Sequence, residues 1–184
     1  MSEFEYKVLS EQPAGSTPIY IPGEASGGGR DGIIVKFNPI KCAPWVGIFA
    51  FGDMLAEGEC KVYPGPGLSR LTIVAKGDAY IVNPDDPSDL VRVKSCPAIR
   101  ALTVASLSLV VFYDYTELVA YNEEGLVWET ERISWDGIEI DEVSAKEIIG
   151  KSWDAPNERY VEFRVNLDDG RHQGGSAPPE YPAS

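Results

Sequence analysis

Four carboxylates stand close together in the second half of the chain, at Asp136, Glu139, Asp141 and Glu142. Paired carboxylates can cleave a glycosidic bond, and clustered carboxylates can hold a calcium ion. In residues 137–141, however, the acids alternate with isoleucines. A strand with this alternation turns the isoleucines to a core and the acids to water. We therefore interpret Glu139 and Asp141 first as the solvated face of a strand.

Two tryptophans flank these acids, and each stands in the tripeptide Ser-Trp-Asp. The copies, with Trp135 and Trp153 at their centres, are eighteen residues apart. This spacing suits successive turns on one edge of a sheet, where each indole would cover an end of the core. The alternative is a binding surface that pairs aromatic rings with acids. The candidate binding residues are therefore Trp135, Asp136, Glu139, Asp141, Trp153 and Asp154.

No other group in the sequence indicates catalysis. His172 is the only histidine, and it follows the last predicted strand, where we expect an exposed turn. A general base needs a nucleophile nearby, and no G-x-S-x-G motif is present to supply one. We predict no catalytic residue, no metal ligand and no cofactor.

The charge is strongly negative and unevenly spread. The formal net charge is −13, and residues 111–184 hold 17 acidic against 6 basic side chains. Such a field repels phosphate backbones and attracts basic surfaces. Direct binding of nucleic acid is therefore disfavoured, and a basic protein is the partner that the charge favours.

Short runs of β-branched and aromatic residues recur along the chain, with turn residues about 8–12 positions apart, which is typical of an all-β protein. Residues 161–167 alternate apolar and polar side chains, which predicts a strand with one face in water. Residues 107–113 are almost continuously apolar, which predicts a strand covered on both faces. No window indicates a helix.

Three acidic-Gly pairs separate these runs: Glu124-Gly125, Asp136-Gly137 and Asp169-Gly170. Glycine adopts positive φ without steric cost, so such pairs between apolar runs predict hairpin turns. The region from 107 to 175 is therefore predicted to be a β-meander.

The same region carries a resemblance. Leu118-Val-Ala-Tyr-Asn-Glu-Glu-Gly-Leu-Val-Trp128 resembles the blade signature of quinoprotein-type β-propellers. The longer pattern over residues 98–175, with Gly125, Trp128, Gly137 and Gly170, resembles a group of small uncharacterised bacterial all-β proteins without an assigned activity. The resemblance implies a blade-like sheet, and it implies no quinone cofactor.

The predicted fold is an antiparallel meander of about 11–14 short strands in two packed or blade-like sheets, sandwich-like, with negligible helix. We predict an N-terminal arm at 1–31, one all-β domain at 32–175 and a flexible tail at 176–184. The predicted core consists of Phe49, Ile73, Leu109, Val111, Trp128, Val161, Phe163 and Val165.

These features favour a non-catalytic, acidic interaction protein of a binding, regulatory or immunity type, with a basic protein as its partner. The alternative is a carbohydrate-active enzyme or carbohydrate-binding module that uses the tryptophans and neighbouring carboxylates. No apolar run reaches the roughly 18 residues that a membrane span needs, and the first residues are acidic. We therefore expect a soluble cytoplasmic protein.

Overall fold

The structure, a computed structural model, describes residues 4–23, 31–54, 58–95 and 97–179. Strands make up 55% of it and helix 4%, which confirms the prediction of an all-β fold. Sixteen strands form four four-stranded sheets, more than the two that we predicted. Within the described ranges, none of these sheets closes into a barrel or a propeller.

The strands are numbered in chain order. They are β1 (Glu5–Leu9), β2 (Ile19–Ile21), β3 (Gly32–Asn38), β4 (Trp45–Ala50), β5 (Cys60–Pro64), β6 (Leu71–Ala75), β7 (Asp78–Asn83), β8 (Asp86–Arg92), β9 (Arg100–Val104), β10 (Leu109–Tyr113), β11 (Leu118–Asn122), β12 (Gly125–Glu129), β13 (Ile138–Val143), β14 (Glu147–Asp154), β15 (Arg159–Asn166) and β16 (His172–Gly174).

The second, third and fourth sheets are antiparallel meanders, formed by β5–β8, β9–β12 and β13–β16. The first sheet has the order β1-β3-β4-β2, and its β2 runs parallel to β4. The predicted N-terminal arm thus contributes two strands to this sheet. Local patterns indicate no strand there, because residues 12–32 are rich in proline and glycine and β1 is fixed by its long-range pairing with β3. Residues 1–3 and 24–30 of that arm, and 180–184 of the predicted tail, lie outside the described residues.

Three hydrophobic clusters join consecutive sheets into a stack. One cluster joins the first and second sheets, another the second and third, and the last the third and fourth. In β10, Val110 and Phe112 pack into the middle cluster, whereas Leu109, Val111 and Tyr113 pack into the last one. β10 is therefore covered on both faces, as the continuous apolar run predicts.

The fourth sheet ends the stack and is apolar on one face only. Phe163 and Val165 of β15 are buried, whereas Glu162 and Arg164 between them are exposed. This confirms the alternation predicted for residues 161–167. The other predicted core residues are buried too, except Val161, which is half-buried opposite Ser152.

The predicted turn glycines all have positive φ, at 134° for Gly125, 147° for Gly137 and 72° for Gly170. Gly125 and Gly170 belong to the turns of β11–β12 and β15–β16. Gly137 does not belong to a hairpin, contrary to our prediction. It ends the connection from the third to the fourth sheet, where its amide donates to the carbonyl of Tyr115 at 2.7 Å.

Candidate binding surface on the fourth sheet

The side chains that alternate with the core residues of the fourth sheet form one surface, which we call the outer face. Strand pairing sets the neighbours, because residues opposite each other in register lie on the same face. The register joins Glu139 to Lys151 and Lys151 to Glu162, and it joins Trp153 to Tyr160. The outer face comprises Glu139, Glu142, Glu147, Ile149, Lys151, Trp153, Tyr160, Glu162, Arg164, Asn166 and Gln173, and the ion pair with Lys151 adds Asp141 at the bulge.

An aromatic pair marks one end of the outer face. The rings of Trp153 and Tyr160 meet edge-on, with centroids 5.2 Å apart and planes at 62°. Tyr160 is 46% exposed, and the carboxylate of Glu139 lies close enough to act on its hydroxyl. Desolvation raises the pKa of Tyr160, and the negative charge of Glu139 raises it further. We call Trp153, Tyr160 and Glu139 the aromatic end.

The two acids predicted to share a strand face are both exposed, but they differ in their partners. A β-bulge lies between Ile140 and Glu142, and the carboxylate of Asp141 is 3.0 Å from the Lys151 ammonium. The hydrogen bond from Lys151 to Asp141 raises the pKa of Lys151, and the charge of Glu139 raises it by less. The charge of Asp141 is therefore compensated more directly than that of Glu139.

The two Ser-Trp-Asp copies lie side by side through their backbones. The amide of Trp135 donates to the carbonyl of Trp153 at 3.1 Å, and the amide of Trp153 donates to Gly137 at 2.9 Å. Both indoles are half-buried, and neither belongs to a core cluster. The tryptophan that covers the core is Trp128, whose Nε1 donates to the Leu167 carbonyl at 2.8 Å. Trp135 itself lies in the loop before β13, outside the outer face.

The two aspartates of the Ser-Trp-Asp copies lie in different environments. Asp136 is exposed in the loop, whereas Asp154 is buried and alternates with Trp153, so it lies off the outer face. The Asn157 amide donates to Asp154 at 2.8 Å, and Arg159 lies 3.5 Å away. The Asn157 bond is the main reason that the pKa of Asp154 falls below its ordinary value. Asp154 thus fixes the turn between β14 and β15.

The other end of the outer face holds a feature that the sequence analysis missed. A cleft of about 620 Å³ lies there, which we call the hairpin cleft. Its lining residues come from the β13–β14 turn, from β14 and β15, and from the β15–β16 turn and β16: Ser144, Ala145, Lys146, Glu147, Arg164, Asn166, Arg171 and Gln173. The alternation in β15 predicts that Arg164 is exposed. Lys146 and Arg171 come beside it only through the register of β14, β15 and β16, which the sequence pattern does not contain.

His172 is not in a turn, contrary to our expectation. It is half-buried in β16, opposite Val165. Among the described residues, no three His, Cys, Asp or Glu side chains are grouped so that they could hold a metal ion. In those same ranges, no helix has the length and apolar character of a membrane span.

No protein-family model matches this chain, and no curated protein or solved structure matches it either. The resemblance to propeller blades therefore stays a prediction.

Proposed function

We propose that this is a non-catalytic interaction protein that binds a basic segment of a partner at its aromatic end. The observation that carries the proposal is the placement of Glu139 beside the half-buried Trp153 and the exposed Tyr160. A lysine or arginine that reaches this point would meet a carboxylate and the face of an aromatic ring together. The cation–π contribution at such exposed sites is about 0.5–1 kcal/mol.

The surrounding charge supports the same kind of partner. Residues 111–170 carry 16 acidic against 5 basic side chains, and the fourth sheet lies within this segment. A negative field of this kind accelerates the encounter with a basic surface. Tyrosine and tryptophan are also the residue types that most often dominate binding energy in interfaces.

A carbohydrate-binding module or a carbohydrate-active enzyme is the second candidate, because sugar rings also stack on aromatic side chains. The angle of 62° between Trp153 and Tyr160 means that these rings do not share one flat platform. Asp141, the nearest second acid along β13, is engaged by Lys151. The geometry therefore supports a single cation better than an extended sugar.

The test uses a lysine- and arginine-rich decapeptide, an acidic decapeptide and a neutral oligosaccharide, each titrated while tryptophan fluorescence is recorded. We expect saturable binding of the basic peptide alone at 0.1 M salt. This binding should weaken strongly at 1 M, where the Debye length falls from about 10 Å to about 3 Å. Oligosaccharide binding without basic-peptide binding would replace the proposal by its alternative.

Charge reversal identifies the residues involved. Glu139→Lys should slow association of the basic peptide more than it speeds dissociation, because it inverts the field at the point of encounter. Asp141→Lys should have a smaller effect, since Lys151 already compensates that charge. Glu124→Lys, an exposed position in the turn of β11–β12, is the matched control in the third sheet. Equal slowing by Glu139→Lys and Glu124→Lys would show that net charge alone acts, and that the aromatic end is not the site.

A further inference from the structure

The hairpin cleft at the opposite end of the outer face gathers cations in a chain that is otherwise acidic. Three of its lining residues, Lys146, Arg164 and Arg171, are basic, and only Glu147 is acidic. The register explains the grouping: Arg164 pairs with Gln173 across β15 and β16, and Asn166 pairs with Glu147 across β15 and β14. The amide of Asn166 also donates to the carbonyl of Arg171 at 2.9 Å, which holds the last turn against β15.

The ion pairs of Arg164 and Arg171 are exposed to solvent. Arg164 lies 3.2 Å from Glu147 and 3.3 Å from Glu162, and its side chain is 49% exposed. Arg171 lies 3.4 Å from Asp169, with 89% of its side chain exposed. Such solvent-exposed pairs contribute little to stability and exchange readily for another anion. Among the described side chains, none forms an ion pair with Lys146.

Backbone and side-chain hydrogen bonds fix the wall of the cleft. The Ser144 hydroxyl accepts from the amides of Lys146 and Glu147 at 3.2 and 3.0 Å, which orders the β13–β14 turn. The Oδ1 of Asn166 accepts from the Asp168 amide at 2.7 Å, which fixes the orientation of the Asn166 side chain. The amide of Gln173 adds a neutral donor at the same wall.

We propose that the hairpin cleft binds an oxyanion, either a phosphate or a carboxylate group. The guanidinium fork of arginine matches both groups in a bidentate manner, and a lysine ammonium adds a compact positive charge. On binding, the anion replaces the weak contacts of Arg164 and Arg171 with their neighbouring carboxylates. The open cleft admits the anion either free or as part of a larger molecule.

This site is separate from the aromatic end. Tyr160 and Arg164 are four residues apart on β15, which is roughly 13 Å at about 3.3 Å per residue. One end of the outer face would thus receive a cation, and the other an anion.

The test titrates inorganic phosphate and, separately, acetate into isotopically labelled protein, with sodium chloride added to hold the ionic strength constant. We expect saturable shifts of backbone amide signals in residues 144–147 and 171–173. Saturation by phosphate alone identifies phosphate as the ligand group, and saturation by both identifies a general oxyanion site. Shifts that fail to saturate with either anion would overturn the proposal.

Variants supply the specificity control. The double variant Lys146→Ala/Arg171→Ala should weaken anion binding at least tenfold, and both side chains are exposed, so folding should be retained. Lys36→Ala, which removes an exposed cation from β3 in the first sheet, should leave the affinity unchanged. Equal weakening by Lys36→Ala would overturn the site. Basic-peptide binding should persist in the double variant, so failure of one proposal is distinguishable from failure of the other.

Discussion

The third and fourth sheets each contain a strand connection of the same type, but the two sheets differ in their surroundings. In the third sheet, β9 and β10 are joined by a short 3-10 turn that ends in Ser108, which has left-handed backbone geometry at φ 52°. In the fourth sheet, β14 and β15 are joined by the same kind of turn, which ends in Glu158 at φ 49°. The central strands β10 and β11 of the third sheet are covered on both faces, whereas the fourth sheet leaves its outer face in water. The pattern of side chains, and not the turn, therefore determines which sheet presents a surface.

The two sheets also differ in what they present to a ligand. The side chains of β10 and β11 pack on both faces of the third sheet, so these two strands have no free face for a ligand. The fourth sheet combines a packed inner face with an outer face that carries an aromatic pair and charges at both ends. Rigid strands hold these groups in place, which favours binding without a large rearrangement.

The largest expected effect concerns the buried phenylalanines. Phe112→Ala in the third sheet and Phe163→Ala in the fourth should each cost about 3–5 kcal/mol, because both side chains are fully buried and their loss leaves a cavity. Denaturant unfolding measures both.

The residues next to these phenylalanines distinguish a strand covered on both faces from one with a face in water. Val111→Thr should cost about 1–3 kcal/mol by burying a hydroxyl, whereas Arg164→Thr should stay within about ±0.5 kcal/mol. Equal losses at Val111 and Arg164 would show that the outer face is not exposed.

A smaller loss is expected at Gly150, where β14 passes the core. A Cβ at this position would press on the carbonyl oxygen of Glu139 and would lie 2.7 Å from the ring of Phe163. Gly150→Ala should therefore destabilise the protein by about 1–3 kcal/mol through overpacking. The combination with Phe163→Ala should be less costly than the sum of the two changes, because the smaller side chain removes part of the clash. Strict additivity in thermal unfolding would contradict this packing.

The smallest effect concerns the charge of Glu117, which is partly buried in the turn between β10 and β11. Desolvation raises the pKa of Glu117, and Asp114 and Glu129 raise it further. The charged form is therefore penalised on folding, and the penalty is present above the raised pKa and fades as the pH falls through it. Glu117→Gln should stabilise the protein at pH 7 by a few tenths of a kcal/mol, since solvent screens the charges.

The gain from Glu117→Gln should narrow on acidification, because the wild-type carboxyl then becomes neutral as well. Urea unfolding at pH 7 and at pH 4 compares the two proteins. A gain that grows as the pH falls would mean that the carboxylate is stabilised in the fold. Glu139→Gln removes an exposed carboxylate from the outer face in the same way, and it is the matched control for the loss of one negative charge.

Local patterns in the sequence predict the strands of this protein better than their arrangement. The continuous run in β10 and the alternation in β15 predict their burial, because the strand period of two acts within a few residues. The positive φ of Gly125 and Gly170 follows from turn chemistry in the same way. The number of sheets and the pairing of β1 with β3 depend on contacts that are distant in sequence, so local patterns do not contain them.

The candidate site shows the same division. The alternation around Glu139 and Asp141 predicts that both acids are exposed, and the structure agrees. The Ser-Trp-Asp repeat predicts two successive turns whose indoles cover the ends of the core, whereas Trp153 lies within β14, outside the core cluster, and has Tyr160 as its ring partner. Tyr160 and the cations of the hairpin cleft join the outer face only through the register of β14, β15 and β16.

The most direct test of the central claim is a map of where the basic decapeptide contacts the protein, from backbone amide and indole signals during a titration at 0.1 M salt. The account predicts saturable shifts at Glu139, Trp153 and Tyr160 on the outer face. It predicts that the buried third-sheet residues Val110 and Phe112 stay unchanged. Shifts confined to the turn around Glu124, or spread over all acidic regions without saturation, would contradict it.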